Sequence, residues 1–326
     1  MLQKSEAIEK MNFLGKEGIP FLFVIDFLGE QNIIQALDEI DAKNLMYSVG
    51  DKTNAVPSES ANLNKLLSFT KNPISFRQYR NSFSVVKKNL DYGNTYLINL
   101  TSATPIDLNI DTRDIFYRSK ANYKLWIKDK LVVFSPEIFV QIEKGKIASY
   151  PMKGTIDARL PNAMDVILND PKEIAEHNTI VDLIRNDLSM LAKNVRVERF
   201  RFIERLKTNQ KDLLQVSSKI VGDLEGDFFD ELGTQFFKLL PAGSISGAPK
   251  KKTVEIILEA ETHDRDFYTG VFGYFDGEKL DSGVMIRYIE EKNGQLVFKS
   301  GGGITTFSDA EKEYNEMIDK VYVPIY

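Results

Sequence analysis

The stretch Tyr123–Met152, YKLWIKDKLVVFSPEIFVQIEKGKIASYPM, alternates apolar and polar side chains over much of its length. Such alternation turns one face of a strand toward a core and the other face toward water. Short turns such as KGK interrupt the pattern, and they indicate consecutive antiparallel strands joined by tight connections. We therefore expect an α+β fold with large antiparallel sheets and helices packed outside them.

Apolar and helix-forming segments on both sides of this stretch fit the same architecture. No linker rich in proline, glycine or serine divides the chain, which predicts one domain over residues 1–326. We expect a strand leading into a helix that ends at Gly93 within 74–93, and helices at about 171–192, 228–239, 249–260 and 309–322. Further strands are expected within 21–28, 44–50, 95–104, 268–277, 280–291 and 294–303.

The bulk composition is that of an ordinary globular protein. Of 326 residues, 43% are hydrophobic and 27% are charged, and the formal net charge is -5. This charge gives no electrostatic reason to expect nucleic acid or an anionic membrane as a partner. The apolar run at residues 19–28 is broken by Asp26 and is too short to span a bilayer, so we expect a cytoplasmic protein.

The scarcity of two residue types restricts the chemistry. The chain has no cysteine, which excludes disulfides, thiolate metal sites and cysteine nucleophiles. With only His177 and His263, a serine–histidine–aspartate triad is nearly excluded and a multi-histidine zinc site is excluded. Chemistry must come from Lys, Glu, Asp, Arg, Tyr and backbone groups, and oxygen ligands would favour a hard cation such as magnesium.

Two predicted helices each carry a pair of glutamates beside an apolar stripe. Glu173 and Glu176 are three positions apart, so they are neighbours on the first helix. Asp170 can cap this helix with Glu173 in its first turn, a structural alternative for Glu173 that does not account for Glu176. Carboxylates beside a core lose hydration and repel each other unless a cation compensates.

The last helix repeats this spacing with Glu313 and Glu316, followed by Lys320 one turn later. The simplest explanation for Glu316 and Lys320 is a solvated ion pair, and Ser308 with Glu311 has the spacing of a capping box. Two separate glutamate pairs in a chain without cysteine or histidine clusters nevertheless favour a shared magnesium site.

Two glycine-rich stretches suggest anion binding. Residues 241–253, PAGSISGAPKKKT, do not fit the phosphate-loop spacing, but they lead into a predicted helix near Pro249. Three glycines in SGGGI, residues 300–304, follow a predicted strand and could form a nest of backbone amides. Arg287 lies among apolar residues of a predicted strand and requires an anionic partner if it is buried. The purpose of Lys153, between Met152 and Gly154, stays open at this point: it either reaches solvent or takes part in chemistry.

Several stretches together resemble the chorismate-utilising enzymes, which include anthranilate, aminodeoxychorismate, isochorismate and salicylate synthases. The resemblance implies two large antiparallel sheets packed face to face with helices outside, and a shortened N-terminal portion at about residues 1–70. It is carried, in order, by YPMKGTI (150–156), DPKEIAEHNTIVDLIRNDL (170–188), PAGSISGAPKKKTVEIILEAE (241–261), YTGVFGYFDG (268–277) and SGGGITTFSDAEKEYNEMIDK (300–320).

The same resemblance implies roles for the individual residues. Magnesium would hold one carboxylate of chorismate, and Lys320 would lie near that carboxylate, while Thr155 would line the pocket beside the ring. The implied metal residues are Glu176 and Glu316 directly, supported by Glu173 and Glu313, and the implied contacts to the other carboxylate are Arg287, Tyr268 and the amides around Gly302 and Gly303.

Lys153 indicates which branch of the family this chain resembles. Aminodeoxychorismate synthases have lysine at this position, where anthranilate synthases generally have alanine. In those enzymes the lysine attacks C2 of chorismate while Glu137 would protonate the departing C4 hydroxyl, and ammonia then adds at C4. The resemblance implies that Lys153 has a lowered pKa and Glu137 a raised one.

Three further points follow from the resemblance. Leu97 stands where water-adding relatives need a lysine, and Gln215 stands where many relatives have histidine. Without cysteine, the chain would take ammonia from a separate glutamine amidotransferase subunit or from free ammonia. An anthranilate synthase component and a non-catalytic binding protein of the same fold are the alternatives, and a nucleotide-binding protein is the least favoured.

Overall fold

The computed structural model describes residues 1–56, 67–207 and 212–323. Strands dominate this part of the chain, and every pairing between them is antiparallel. The strands are β1 (Phe21–Ile25), β2 (Asn32–Ala36), β3 (Leu45–Val49), β4 (Lys52–Thr53), β5 (Phe69–Lys71), β6 (Leu97–Leu108), β7 (Tyr123–Ile127), β8 (Leu131–Ser135), β9 (Ile138–Glu143), β10 (Lys146–Ser149), β11 (Met152–Asp157), β12 (Lys193–Lys207), β13 (Asp212–Asp223), β14 (Gly247–Ala248), β15 (Val271–Phe275), β16 (Leu280–Val284), β17 (Tyr288–Lys292) and β18 (Gln295–Ile304).

These strands form two sheets of nine strands each. The first sheet has the order β11-β13-β10-β9-β16-β15-β1-β2, with β12 paired to β13. The second sheet has the order β14-β6-β18-β17-β8-β7-β3-β4, with β5 paired to β6. The prediction of large antiparallel sheets is confirmed, although the long β12–β13 hairpin was not anticipated from the sequence.

The two sheets pack face to face, and the alternation in β8 shows how the sequence achieves this. Leu131 and Val133 point into a core between the sheets, where they meet Leu22 and Val24 of the first sheet. Val132, between them in sequence, points to the opposite face and packs in a second core. A strand with both faces covered is apolar at successive positions, which explains the continuous run LVVF.

Helices cover the outer faces of the sheets, as predicted. A helix was expected at 228–239, but this segment is divided into a short α-helix flanked by 3-10 turns at Phe228–Glu231 and Phe237–Leu239. None of the helices in the described ranges has both the length and the apolar character needed to cross a bilayer. The α-helices are α1 (Lys4–Lys16), α2 (Phe76–Asp91), α3 (Thr112–Arg118), α4 (Ala163–Asn169), α5 (Pro171–Ser189), α6 (Leu232–Phe236), α7 (Gly243–Ser246), α8 (Lys250–Ala260) and α9 (Ala310–Asp319).

The caps of the two glutamate-bearing helices differ from each other in how well they were predicted. At α5, the Asp170 carboxylate accepts from the Glu173 N–H at 3.0 Å, as expected. At α9, Asp309 rather than Ser308 is the cap, and its carboxylate accepts from the N–H groups of Glu311 and Lys312. The predicted Ser308–Glu311 capping box is wrong, because the Ser308 hydroxyl instead accepts from the N–H of Thr305.

Two neighbouring strand pairs pass from one sheet to the other at the same place. Strand β8 lies in the second sheet and β9 in the first, and Glu137 lies in the connection between them. Strand β16 lies in the first sheet and β17 in the second, and Arg287 lies in that connection with φ 51°. The prediction of one continuous strand over 280–291 is therefore wrong, and Arg287 occupies a crossing between sheets.

Candidate active site

A cavity of about 470 Å³ lies beside these crossings. Its wall is built from the ends of β11 and β18, one face of α5, part of α9 and the short helix α7. All twelve site residues predicted from the sequence line this one cavity, although they are spread over nearly two hundred positions of the chain. They are Glu137, Lys153, Thr155, Glu173, Glu176, Tyr268, Arg287, Gly302, Gly303, Glu313, Glu316 and Lys320.

The two crossings hold Glu137 and Arg287 side by side through backbone hydrogen bonds. The Val284 N–H donates to the carbonyl of Glu137 at 3.0 Å, and the Phe134 N–H donates to the carbonyl of Arg287 at 3.1 Å. Both side chains therefore start from adjacent, fixed points of the backbone. A carboxylic acid and a guanidinium are in this way placed on the same wall of the cavity.

Burial raises the pKa of the Glu137 carboxyl above its ordinary value. A hydrogen bond from the Ser244 hydroxyl to Glu137 Oε1, at 2.8 Å, opposes this shift, as do the charges of Lys153, Arg287 and Lys320. The net direction is upward, which is the direction that a general acid requires.

Lys153 reaches the cavity because strand β11 is irregular there. The pairing with β13 shifts between Met152 and Thr155, so β11 bulges at Lys153 and Gly154. The Lys153 ammonium donates to Glu176 Oε2 at 3.1 Å, and 29% of this side chain is exposed. The question that the sequence left open is thereby answered: Lys153 points into the carboxylate-lined cavity and pairs with Glu176.

Gly154 completes the bulge and brings Glu173 close to the strand. Its φ of 82° is in the left-handed region, and a Cβ added here would lie 3.0 Å from Glu173 Oε2. A side chain at this position would therefore push the Glu173 carboxylate away from the backbone next to Lys153.

We predict that Gly154→Ala lowers both stability and activity, whereas Gly93→Ala lowers stability alone. Each substitution forces a left-handed φ on alanine, at a cost of about 1–2 kcal/mol in the free energy of unfolding. Gly93 has a φ of 79° with no atom within 4 Å of an added Cβ, so it is the matched control. Urea unfolding and steady-state kinetics measure the two effects, and equal activity in both variants would contradict the role given to Gly154.

The α9 glutamates approach the same cavity from the other side. A Cβ added at Gly302 would lie 3.6 Å from Glu313 Oε2 and 3.7 Å from Glu316 Oε1. The Lys320 ammonium pairs with Glu316 Oε1 at 2.7 Å and donates to the carbonyl of Gly301 at 2.9 Å. The Glu316–Lys320 ion pair is thus present, but it lies at the cavity wall together with Glu313, which is buried.

From the sequence we expected the three glycines to follow a strand and form a nest of backbone amides, and this prediction is wrong. They are the last part of β18, where Gly301, Gly302 and Gly303 pair with residues of β6. Their lack of side chains leaves room for the α9 carboxylates and for the Lys153 ammonium, which lies 3.7 Å from an added Cβ at Gly303. Leu97, from β6, gives this end of the cavity an apolar wall.

The sequence pattern of the chorismate binding enzymes matches residues 27–325, which is most of the chain. The chain belongs to this family. The identification agrees with the resemblance carried by the five motifs.

Known relatives span more than one activity within the chorismate binding enzymes. A protein named "Uncharacterized PabA-like protein" from Haemophilus influenzae is 46% identical over 318 residues, covering 98% of this chain and 96% of the relative. Aminodeoxychorismate synthase component 1 of Salmonella typhimurium is 32% identical over 260 residues, covering 75% of this chain and 56% of that protein. This chain thus matches only a little over half of the Salmonella enzyme.

A solved structure supports the fold assignment. Anthranilate synthase component I from Streptococcus pneumoniae superposes with a TM-score of 0.66 and 26% sequence identity, covering 81% of this chain and 61% of that one. The predicted fold of two packed antiparallel sheets with outer helices is confirmed.

The carboxylate oxygens that line the cavity of this chorismate binding enzyme are of the kind that binds magnesium, but they are not arranged around a common point. In the described ranges, no three potential ligands lie close enough together to bind a metal ion as they are placed. Glu176 and Glu316 are instead paired with Lys153 and Lys320. The four glutamates carry more negative charge than the two ammonium groups neutralise. Because all of this charge is on carboxylate oxygens, the cluster suits a hard cation.

The charge of Lys153 differs from the sequence prediction. Burial lowers the pKa of its ammonium, but the Glu176 carboxylate, together with Glu316 and Glu173, raises it more, so the net pKa is above its ordinary value. The prediction that the pKa of Lys153 is lowered is therefore wrong when only the groups of the protein act on it. Burial alone does not make this amine neutral, because carboxylates surround it.

Sequence reasoning did not find the contribution of α7 to the cavity. We expected the helix start near Pro249 to face an anion, whereas Gly243–Gly247 line the cavity and Ser244 bonds Glu137. Asn99 was also missed, while Gln215 lines the wall across from Thr155 in the β11–β13 pairing. A hydroxyl or a carboxamide carries no spacing signal in a single sequence, so only the fold reveals these residues.

Proposed function

We propose that this chorismate binding enzyme converts chorismate and ammonia into 4-amino-4-deoxychorismate, with Lys153 as a covalent nucleophile. The observation that carries the proposal is the place of the Lys153 ammonium, inside the cavity and 3.1 Å from Glu176 Oε2. A lysine that served only solubility would extend into solvent. The Salmonella relative, named aminodeoxychorismate synthase component 1, supports the same reading.

The proposed reaction has two displacement steps. The Lys153 amine forms a bond to C2 of chorismate, the ring double bonds shift, and the C4–O bond breaks as Glu137 gives its proton to the departing hydroxyl, which leaves as water. Ammonia then forms a bond to C4, the double bonds shift back, and the bond between C2 and Lys153 breaks, which releases the neutral lysine amine. The new ammonium at C4 gives one proton back to the Glu137 carboxylate. The net change is chorismate plus ammonia to aminodeoxychorismate plus water, and Lys153 is regenerated.

The cavity walls suggest how the substrate is oriented. Arg287 can pair with one carboxylate of chorismate, and Tyr268 with the amides at Gly302 and Gly303 can complete its recognition. Thr155 also lines the cavity, and we propose that it contacts the ring. These groups keep C2 toward Lys153 and the C4 hydroxyl toward Glu137.

Magnesium completes this proposal. Glu176 and Glu316 would hold it directly, Glu173 and Glu313 would support them, and Lys320 lies beside the same glutamates. When bound, the cation supplies positive charge that attracts the second carboxylate of chorismate and offsets the glutamates around Lys153. The residues of the chain then bind, orient and protonate the substrate.

The source of ammonia is not within these 326 residues if it requires a cysteine nucleophile. Without cysteine, this sequence cannot release ammonia from glutamine through a cysteine nucleophile. We propose a separate glutamine amidotransferase subunit as the source, in the cytoplasm, for the synthesis of 4-aminobenzoate and folate.

Product analysis tests the proposed function. The purified protein is incubated with chorismate, magnesium and ¹⁵N-ammonium chloride at pH 8.5, and the products are separated and identified by mass and by ring position of the label. A 4-amino product with nitrogen from ammonium is expected. Anthranilate as the sole product would replace this proposal with the anthranilate synthase alternative, and chorismate recovered unchanged would favour a binding protein.

We also predict that chelation of magnesium abolishes turnover and that Glu176→Gln raises the magnesium concentration for half-maximal activity at least about tenfold. Loss of a carboxylate charge removes a hard ligand from the cluster. Glu143→Gln, which changes a surface glutamate paired with Lys279, is the matched control and should not alter the magnesium dependence. Full activity in excess chelator would remove magnesium from the proposal.

A further inference from the structure

Arg265 is a buried residue behind the cavity wall, with only 4% of its surface exposed. Its guanidinium contacts four parts of the chain. It donates to both carboxylate oxygens of Glu261, at 2.9 and 2.7 Å, and to the backbone carbonyl of Asn99. It also donates to the carbonyl of Ile245 at 3.0 Å and to the hydroxyl of Thr269 at 3.3 Å.

Two of these contacts lead directly to the cavity. Asn99 and Ile245 both line it, and the Asn99 side-chain amide also donates to the Ile245 carbonyl, at 3.0 Å. Ile245 belongs to α7, in which the preceding residue, Ser244, donates to Glu137 Oε1 at 2.8 Å. Two hydrogen bonds at consecutive residues of α7 therefore connect the buried guanidinium, through the backbone between Ile245 and Ser244, to the carboxyl group of Glu137.

Helix α7 has only four residues, so it cannot hold its place through its own hydrogen bonds. The carbonyl of Ile245 is instead fixed from behind by Arg265, and β6 is fixed by the same guanidinium through Asn99. The planar fork of arginine can contact several acceptors at once, which the single ammonium of lysine cannot reproduce.

We propose that Arg265 is a positioning residue for the reaction, which fixes α7 so that Ser244 holds the Glu137 carboxyl toward the C4 hydroxyl of chorismate. This inference rests on the proposed function, in which Glu137 is the general acid. Arg265 itself does not line the cavity, so its effect on the general acid must pass through α7, where Ser244 contacts Glu137.

The partner of Arg265 determines which variants are informative. Glu261 is also buried, and its Oε1 accepts from the N–H and hydroxyl of Thr101 at 2.8 and 2.9 Å. Removing the arginine charge alone would leave this carboxylate unpaired, and unpaired buried charges destabilise folds. Arg265→Lys keeps the positive charge but removes the planar guanidinium that contacts several acceptors. The combined variant Glu261→Gln, Arg265→Gln removes both charges together.

A double-mutant cycle between Arg265 and Ser244 tests the proposal. Ser244→Ala should lower kcat for amination about tenfold, because one hydrogen bond to the acid is lost. Arg265→Lys should lower kcat by a similar factor, and the double variant should also be about tenfold slower, because both changes interrupt the same chain of contacts. The surface control Arg205→Lys, paired with Asp212 in the wild type, should leave kcat unchanged.

Independent effects would overturn the proposal. If the two losses multiply to about a hundredfold, or if Arg265→Lys lowers the melting temperature with kcat intact, Arg265 has a structural role only. If Arg265→Lys shows no cooperative thermal transition, the combined Glu261→Gln, Arg265→Gln variant takes its place in the cycle with Ser244→Ala and decides between these results. Absence of amination in the wild-type protein refutes the proposed function, whereas multiplicative losses in an active enzyme refute this inference alone.

Discussion

Replacing Lys153 with alanine should lower the rate of 4-amino product formation by about 10³-fold or more, because the covalent route through C2 is lost. Alanine keeps the backbone of the β11 bulge and removes the amine that lies 3.1 Å from Glu176. Chorismate binding should change little, since Arg287 and Tyr268 remain in place. Rates from stopped assays at saturating chorismate and ammonium, with a chorismate Kd from calorimetry, separate these two effects.

Lys146→Ala is the matched control for this experiment. Lys146 lies on β10, in the same sheet, where it pairs with Asp223 at the surface at 3.3 Å. Its loss should leave the rate within about twofold of the wild type, as expected for an exposed ion pair. A Lys153→Ala protein that still makes the 4-amino product at the wild-type rate would remove the covalent step from the proposal.

Alternating and continuous apolar runs were sufficient to predict most of the strands, because the apolar pattern and the burial have the same physical cause. In β8, Leu131 and Val133 face one core and Val132 faces another, as a continuous apolar run implies. The crossing between β16 and β17 could not be predicted in this way. Its residues Met285 and Ile286 are apolar on both sides of the change, so the sequence shows no break where the backbone leaves one sheet.

The candidate site was predicted unevenly, and the differences have physical reasons. Glutamates on an apolar face conflict with burial, so Glu173 and Glu176 were conspicuous in the sequence. Ser244 and Asn99 do not stand out from their neighbours in the sequence. The role of Arg265 can be inferred only when the fold shows that its guanidinium contacts the carbonyl of Ile245. The raised pKa of Lys153 was missed because it depends on carboxylates that only the fold brings together.

Glu137→Gln should lower kcat by about 10²–10⁴-fold while chorismate affinity changes little, because the carboxamide cannot protonate the leaving hydroxyl. The substitution preserves shape, and Gln Oε1 can still accept the hydrogen bond that the Ser244 hydroxyl donates to Glu137. Glu278→Gln, on an exposed turn, is the matched control. Single-turnover rates measure the chemical step, and a Glu137→Gln rate within a few-fold of the wild type would mean that another group supplies the proton.

The pH dependence gives an independent test of Glu137. Burial raises its pKa, against the hydrogen bond from Ser244 and the charges of Lys153, Arg287 and Lys320. A general acid works while it is protonated, so the wild-type kcat should fall as the pH rises through this raised pKa, and Glu137→Gln should lack that descending limb.

The stability of the fold should change with pH in the same direction. Since the folded protein holds this proton more tightly than the unfolded chain, the contribution of Glu137 to stability is fully present below the unfolded pKa and is lost as the pH rises through the folded one. Glu137→Gln should therefore stabilise the protein relative to the wild type at pH 8 and not at pH 4. A descending limb that survives in Glu137→Gln, together with unchanged relative stability at both pH values, would show that Glu137 is neither protonated by burial nor the acid of the reaction.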